Sequence, residues 1–402
     1  MRLQSILFLV LASAAVGMSG ASAQISDGVV RIGILNDQSG VYADLGGQGS
    51  VVAARMAVED AGGSVLGKPV EVVFADHQNK ADVGMAVARR WFEIAGVDIA
   101  IGFDNSAVAL AVEQLAADLN RIVIAGAVGS TAFTGKGCTS TEVAWVHDSY
   151  ALTTSLAKSI VAEGGDTWFF ISVDYAFGHS MEADATSAVQ SAGGKVLGSV
   201  RHPLGTSDFS SYLLQAQASG AKVVAFANSG GDMITAIKQA NEFGLAKRQS
   251  LVSMLVFISD VHSMELQAAQ GLKFVTAFYW DRNDESRAWS KRFFARYGKM
   301  PTMAQAGTYS AVSHYLKSVA AAGTDDAKPV MAKMRELPVE DFYTRNGHVR
   351  EDGRMVHDMY FAQVKKPSES TKPWDYYEIL GVIPGSQAFR SLVDSDCPLV
   401  TH

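Results

Sequence analysis

An α/β fold built of doubly wound parallel sheets is predicted by three observations. Short β-branched runs alternate with helical patterns from Arg31 onward, the runs are apolar throughout rather than alternating, and the pattern restarts near Tyr150. Continuous apolar runs belong to strands covered on both faces, the situation of a parallel sheet between helical layers. The chain has 402 residues, 48% hydrophobic and 19% charged. That exceeds one ordinary core of ~100–200 residues, and it supplies enough apolar surface to offset chain entropy. Two folded units are expected and intrinsic disorder is excluded.

Residues 1–23 stand apart from these units. Met1-Arg2 gives a positive start, Ile6 to Val16 is almost continuously apolar, and Ala21-Ser22-Ala23 has the small-x-small form of a cleavage site. This layout is that of a secretory signal peptide cut after Ala23, and the apolar run falls short of the ~20 residues that span a bilayer. No Cys sits at the cleavage site, so no lipid anchor is expected there. The mature chain is expected to be exported, soluble and acidic.

In the first unit, strands are expected at Arg31–Asn36, Val70–Ala75, Ile99–Phe103 and Ile122–Ala125. A helix carries Val51, Ala54, Val58 and Ala61 on one face. A second, after Ser106, carries Val108, Ala111, Val112, Leu115 and Leu119. A polar, aromatic junction at Trp145–Tyr150 opens the second unit. It holds a helix over Ala151–Glu163, a strand at Trp168–Val173, a helix from Gly178 to Ala192, and strands at Lys195–Val200 and Val223–Ala227. The helix after Gly231 has Asp232 placed to cap its start. A strand around Leu272–Phe278, helices at Glu285–Tyr297 and Ala304–Ala322, and late strands near Met359–Val364 and Tyr376–Ile383 must rejoin these units. A surface loop of residues 365–372 separates the last two strands.

Most chemistry is excluded. With 34 Lys+Arg against 41 Asp+Glu, a net charge of −7 and no basic run, nucleic acid is not an expected partner. Gly47-x-Gly49 lies ten residues past the first strand and lacks the third glycine of a dinucleotide fingerprint, so it reads as a helix entry. No G-x-S-x-G, H-E-x-x-H or C-x-x-C is present, and the nine His are scattered. No metal, cofactor or catalytic residue is expected. Two Cys are too few for a disulfide scaffold. In an oxidising compartment Cys138 and Cys397 can form a single long-range bridge, and two unrelated buried thiols are the alternative. What remains is the carboxyl edge of parallel strands, where helix N-termini collect ligands. Asn36–Gly49, Phe103–Ser106 and Gly126–Thr131 form that edge in the first unit, and Asp174–Gly178 and Ser229–Asp232 form it in the second. Ser106 is expected to cap its helix and aim donors at an anion such as a carboxylate.

Several of these stretches together resemble the type I periplasmic solute-binding proteins of ABC importers, in particular the leucine/isoleucine/valine-binding, hydrophobic amino-acid group. The residues are Ile32-Gly-Ile-Leu, Ser39-Gly-Val-Tyr42-Ala-Asp-Leu-Gly46, Ala53-Ala-x-Met-Ala-Val-Glu-Asp60, Gly102 with Ser106, Asp174-Tyr-Ala-Phe-Gly178, and Asp208-Phe-Ser. The resemblance implies two Rossmann-like lobes with parallel sheets, residues 24–146 plus 277–357 and residues 147–276 plus 358–402. Three crossing segments would join them near residues 146–149, 276–278 and 356–359.

By the same resemblance, Ser106 and the backbone at Ala127 and Gly129, flanked by Asn105 and Val128, hold a ligand carboxylate. Tyr42 lines the first lobe, Phe177 stands where the leucine-binding pattern has a Tyr of the α-ammonium pocket, and Ser229 replaces an aromatic of that pattern. Read from the residues, Phe103, Tyr175 and Phe177 can supply stacking surface or be ordinary core. The acid that would pair an α-ammonium near Leu255-Val256 is missing, since residues 253–259 contain no Asp or Glu. An unpaired buried ammonium costs several kcal/mol. The expected solute is therefore a hydrophobic or aromatic carboxylate, with amino acids still open if Asp104, Asp174 or Asp260 substitutes. The implied protein is a monomeric periplasmic binding subunit that delivers its solute to an ABC permease in the inner membrane. A secreted ligand sensor and an exported hydrolase are the alternatives.

Overall fold

The computed structural model describes residues 24–401, so the expected signal peptide lies outside the described residues. The first unit runs β1 (Val30–Asn36), α1 (Gly47–Asp60), β2 (Ser64–Val65), β3 (Lys68–Asp76), α2 (Ala81–Glu93), β4 (Ile99–Gly102), α3 (Ser106–Asp118), β5 (Ile122–Ala125) and β6 (Glu142–Ala144). Its sheet has the order β2-β3-β1-β4-β5-β6, parallel from β3 to β6, with β2 a short antiparallel edge. Ile32, Ile34, Ile99, Ile101, Ile122 and Ile124 are wholly buried, which is why these strands read as unbroken apolar runs. The chain passes from β1 to β3 on one side and then to β4 on the other. The crevice of such a sheet lies beyond the carboxyl ends of the strands where the order reverses, here β1 and β4.

The second unit repeats the plan with α4 (Ser149–Ala162), β7 (Thr167–Val173), α5 (Ala176–Ser191), β8 (Lys195–His202), α6 (Ser210–Ala218), β9 (Val223–Ala227), α7 (Gly230–Glu242), β10 (Ser250–Ser253) and α8 (Ile258–Ala269). Its sheet, β10-β9-β7-β8, is parallel and reverses between β7 and β9. One expected cap is corrected. Ser229 is the N-cap of α7, while Asp232, a turn further in, turns away to accept the Gly205 N–H at 3.0 Å.

The remaining elements are β11 (Lys273–Thr276), α9 (Asp284–Tyr297), α10 (Met303–Ala322), α11 (Ala327–Glu336), β12 (His348–Val349), β13 (Met355–Val356), β14 (Met359–Val364), β15 (Tyr377–Ile383) and α12 (Gly385–Ala388). The late strands extend neither parallel sheet; β11, β14 and β15 form an antiparallel sheet of their own. β14 and β15 are joined by a surface loop without a crossover helix, and such neighbours can only pair antiparallel. Helices α9 and α10 return to the first unit, where Arg292 and Tyr309 hold Asp60 at 2.6 and 2.7 Å. A Cβ on Gly49 of the Gly-x-Gly stretch would overlap the Gln305 side chain of α10, so that glycine serves helix packing. Two of the connections between the sheets lie side by side: the His357 ring bonds the Val146 carbonyl at 2.8 Å, and Arg354 reaches the Ala144 carbonyl. No helix among the described residues is long and apolar enough to cross a membrane.

Candidate functional site

A cleft lies where the carboxyl ends of both parallel sheets meet. Its first wall begins with the loop after β1. Asp37 organises that loop, its carboxylate accepting the N–H groups of Gly40 at 2.7 Å and Tyr42 at 2.9 Å and the Asn79 amide at 2.6 Å. Tyr42 and Leu45 are thereby presented to the cleft. After β4 the backbone passes through two positive-φ residues, Gly102 (124°) and Phe103 (60°), and delivers Asp104 to the cleft lining.

Helix α3 starts next. Its cap is Asn105 and not Ser106: Asn105 is extended, and its side-chain oxygen accepts from Ala107 and Val108. Ser106, already in the first turn, is free to line the cleft, and its Oγ accepts the Ser130 N–H at 3.2 Å. The loop after β5 contributes Ala127 and Gly129. Among the described residues the N–H groups of both find no acceptor, so they point to an external one. Val128 is turned the other way, into the core beside Phe103 and Phe133.

The second wall is made of helix starts. Tyr175 and Phe177 open α5, Ser229 occupies the N-cap position of α7, and Leu255 and Phe257 lead into α8. Neither α5 nor α7 has a side-chain cap of its own. Ser229 is 1% exposed, and its hydroxyl has no partner among the described residues. The walls touch directly. The hydroxyls of Tyr42 and Tyr175 lie 2.9 Å apart, and the Gly231 N–H donates to the Val41 carbonyl at 3.0 Å. Gly129 faces the Phe177 ring so closely that a Cβ would overlap it. The enclosed space is about 10 Å³, so admitting a solute requires the walls to part. A larger cavity of about 240 Å³ lies outside the cleft, but its two arginines are already held, Arg350 by Asp352 and Arg390 by Asp184.

Of the expected site residues, Tyr42, Ser106, Ala127, Gly129, Tyr175, Phe177 and Ser229 come together around the cleft, and Asn105 and Val128 do not line it. Of the three acids offered as substitutes, Asp174 is an exposed partner of His179 at 2.8 Å. Asp260 accepts the Phe257 N–H at 2.9 Å and caps α8. Only Asp104 lines the cleft; burial, followed by the neighbouring Asp37, pushes its carboxyl up to about 8. Leu45 and Phe257 were missed. Phe257 stands at a helix start where no capping residue type announces one. Cys138 and Cys397 are disulfide-bonded across 259 positions, with Cα atoms 5.6 Å apart. They tie the far end of the loop that carries Ala127 and Gly129 to the C-terminal tail.

Comparison with known proteins follows the same lines. Residues 29–371 match the family model described as periplasmic binding protein. Among curated proteins the chain is similar to Leu/Ile/Val-binding protein homolog 6 of Brucella melitensis, 27% identical over 239 residues, 59% of this chain and 60% of that one. The chain thus spans about three-fifths of the length of the curated relatives it matches. Among solved structures it is similar to a periplasmic binding protein from Burkholderia mallei, with 48% identity, a TM-score of 0.92, and 93% of this chain and 99% of that one covered. A branched chain amino acid ABC transporter periplasmic ligand-binding protein from Burkholderia xenovorans aligns with 41% identity and a TM-score of 0.83 over 92% of this chain and 100% of that one. A solute binding protein of an ABC transporter from Rhodopseudomonas palustris, in complex with 3,4-dihydroxy benzoic acid, shares the fold at 18% identity and a TM-score of 0.81, with 89% of this chain and 98% of that one covered.

Proposed function

The chain belongs to the periplasmic binding protein family, and on that premise we propose that it is the exported solute-binding subunit of an ABC importer. It closes two lobes, residues 24–146 with 277–357 and residues 147–276 with 358–402, on a small apolar acid and delivers that acid to a permease in the inner membrane. One observation carries the reading: the Ser106 hydroxyl and the unpartnered N–H groups of Ala127 and Gly129 belong to residues that line the same cleft as Phe177, Leu255 and Phe257. A carboxylate satisfies those donors, each of which costs ~1–3 kcal/mol when buried unpaired, while an apolar body fills the opposite wall. Helices α3, α5, α7 and α8 all begin at the cleft, so their positive ends favour an anion.

Ligand bridging the two walls stabilises the closed form by contacts that the open form lacks, and the closed form is the one a permease reads. The named chemistry of the neighbours is in keeping with a carboxylate: branched-chain amino acids for the Burkholderia xenovorans transporter and 3,4-dihydroxy benzoic acid in the Rhodopseudomonas palustris complex both carry one. The protein acts as a periplasmic monomer and turns nothing over.

The test is calorimetry with a panel of branched-chain amino acids, their 2-oxo acids, benzoates and hydroxycinnamates. Stoichiometric binding of at least one, without conversion, is expected. Turnover of an ester or amide without stoichiometric binding would instead establish the hydrolase.

A further inference from the structure

We propose that Glu113 and Glu142 form a carboxyl pair whose shared proton fastens the loop between β5 and β6 onto helix α3, so that the first unit tightens as the pH falls and slackens as it rises. The pair lies inside the first unit, and neither carboxyl lines the cleft. The inference therefore stands apart from the solute reading and from whether the cleft is open or shut.

Both side chains are buried, Glu113 at 4% exposed and Glu142 wholly. They come from α3 and β6, and their carboxyl groups lie within hydrogen-bonding reach of each other. Glu142 Oε2 accepts the Thr139 hydroxyl at 3.2 Å. Glu142 Oε1 and Glu113 Oε2 find no donor among the described residues. Two ionised carboxylates are acceptors only, and two buried negative charges in contact repel each other. One proton between them turns that repulsion into a bond, the protonated carboxyl donating to the ionised one. Two carboxyls and a hydroxyl fall short of the roughly 6–8 oxygens that calcium takes, so a proton is the fitting occupant.

The loop rests on the pair on either side of Cys138. A Cβ on Gly137 would stand 2.8 Å from Glu113 Oε1, and Thr139 is the donor to Glu142. The Cys138–Cys397 bridge and the shared proton thus hold the same stretch, one covalently and one reversibly. Gly353 closes on Glu142 from behind, where a Cβ would stand 3.2 Å from its Cγ.

One cation approaches the pair. Arg335 of α11 is attracted by Glu142 and by Glu351 of the turn between β12 and β13. Its guanidinium, however, donates to the Ser140 carbonyl at 2.9 Å, and its Nε has no partner among the described residues. Burial therefore dominates. It pushes Glu113 up to about 8 and Glu142 well above the ordinary glutamate range, with the charge of Glu113 raising Glu142 further. In the unfolded chain both ionise near the ordinary value of about 4.3. The native state holds its extra proton between that value and about 8, so the stability it confers is full below this range and is lost as the pH rises through it.

The experiment is NMR of the mature chain, isotope-labelled at the glutamate carboxyl carbons, between about pH 5 and 10. Labelling glutamate alone leaves the buried aspartates silent. One glutamate signal is expected to titrate near pH 8. It should disappear in Glu113→Gln and in Glu142→Gln, because the new amide donates where the shared proton did. Urea denaturation is run alongside. The wild type should lose stability with rising pH more steeply than Glu113→Gln/Glu142→Gln, by about tenfold in the folding equilibrium per pH unit between about pH 5.5 and 7.5. Where a variant does not fold by circular dichroism, the wild-type titration decides alone. The proposal is overturned if no wild-type glutamate titrates above about pH 6, or if the double variant keeps the wild-type slope. It is equally overturned if a single variant leaves the raised signal unchanged, since that signal would then belong to one buried acid instead of a pair.

Discussion

The wall of the cleft built on β4 and β5 and the wall built on β7 and β9 face the same space with opposite chemistry. On the first, α3 is capped by its own Asn105, Ala127 and Gly129 offer bare N–H groups, and the loop carrying them is braced at its far end by the Cys138–Cys397 bridge. On the second, α5 and α7 start without side-chain caps, and the surface is largely aromatic and aliphatic, from Tyr175, Phe177, Leu255 and Phe257. The N–H of Gly231 near the start of α7 finds its acceptor in the first wall, at the Val41 carbonyl. The difference teaches a division of labour. One wall keeps donors open for a polar group that only a ligand supplies; the other is finished only when it meets the first, so its stabilisation becomes available on closure.

The largest effect should come from removing the brace that distinguishes the first wall. Replacing both cysteines by serine frees a loop whose ends are 259 residues apart; chain entropy sets a ceiling of roughly 5–6 kcal/mol on the loss of stability, and about 2–5 kcal/mol is expected. Urea denaturation checks this, and an unchanged midpoint would show the two walls to be equally self-sufficient.

Gly230→Ala strikes the contact that completes the second wall. Gly230 has φ 57°, and its Cβ would run into the Val41 carbonyl. A shift of one wall against the other is required, so binding should weaken by about 2–4 kcal/mol. Small-angle scattering should show a chain that no longer contracts with ligand; normal contraction would sink the idea that this edge closes the cleft.

Ser106→Ala removes one donor from the first wall. Loss of a hydrogen bond to a charged group predicts ~1.5–3 kcal/mol weaker carboxylate binding, read by calorimetry, with the fold retained. Unchanged affinity would take Ser106 out of the site. The smallest effect is expected for Tyr175→Phe, which deletes the hydroxyl pairing with Tyr42 across the cleft. About 1 kcal/mol should appear as a roughly fivefold faster ligand dissociation in stopped flow.

Legibility in the sequence followed how local the physics was. The strands β1, β4, β5, β7 and β9 were readable because burial on both faces leaves an unbroken apolar run. The stripes of α1 and α3 were readable because one covered face imposes a helical period. The caps were less so: Asn105-Ser106 offers two capping residue types in succession, and only the extended backbone at Asn105 decided which one acts. Asp232 looks like a cap in the sequence and is recruited instead by a loop some thirty residues earlier. The antiparallel pairing of β11 with β14 joins positions nearly ninety residues apart in the chain, and strand composition carries no record of such a partner.

By itself the sequence determined the α/β class, the sites where strand ends feed helix starts, and the kind of donor that Ser106 and its neighbours present, because those depend on periodicity, burial and residue type within a few positions. Only the tertiary structure decided which of three acids faces the cleft. Asp174 meets His179 at the surface, Asp260 is consumed as a cap, and Asp104 is turned inward by two positive-φ residues and a glycine over fifty positions away at Gly46. The physical reason is that a carboxyl's role is set by what surrounds it in space, and here those surroundings come from the loop after β1 and from the second wall, neither of which is adjacent to Asp104 in the chain.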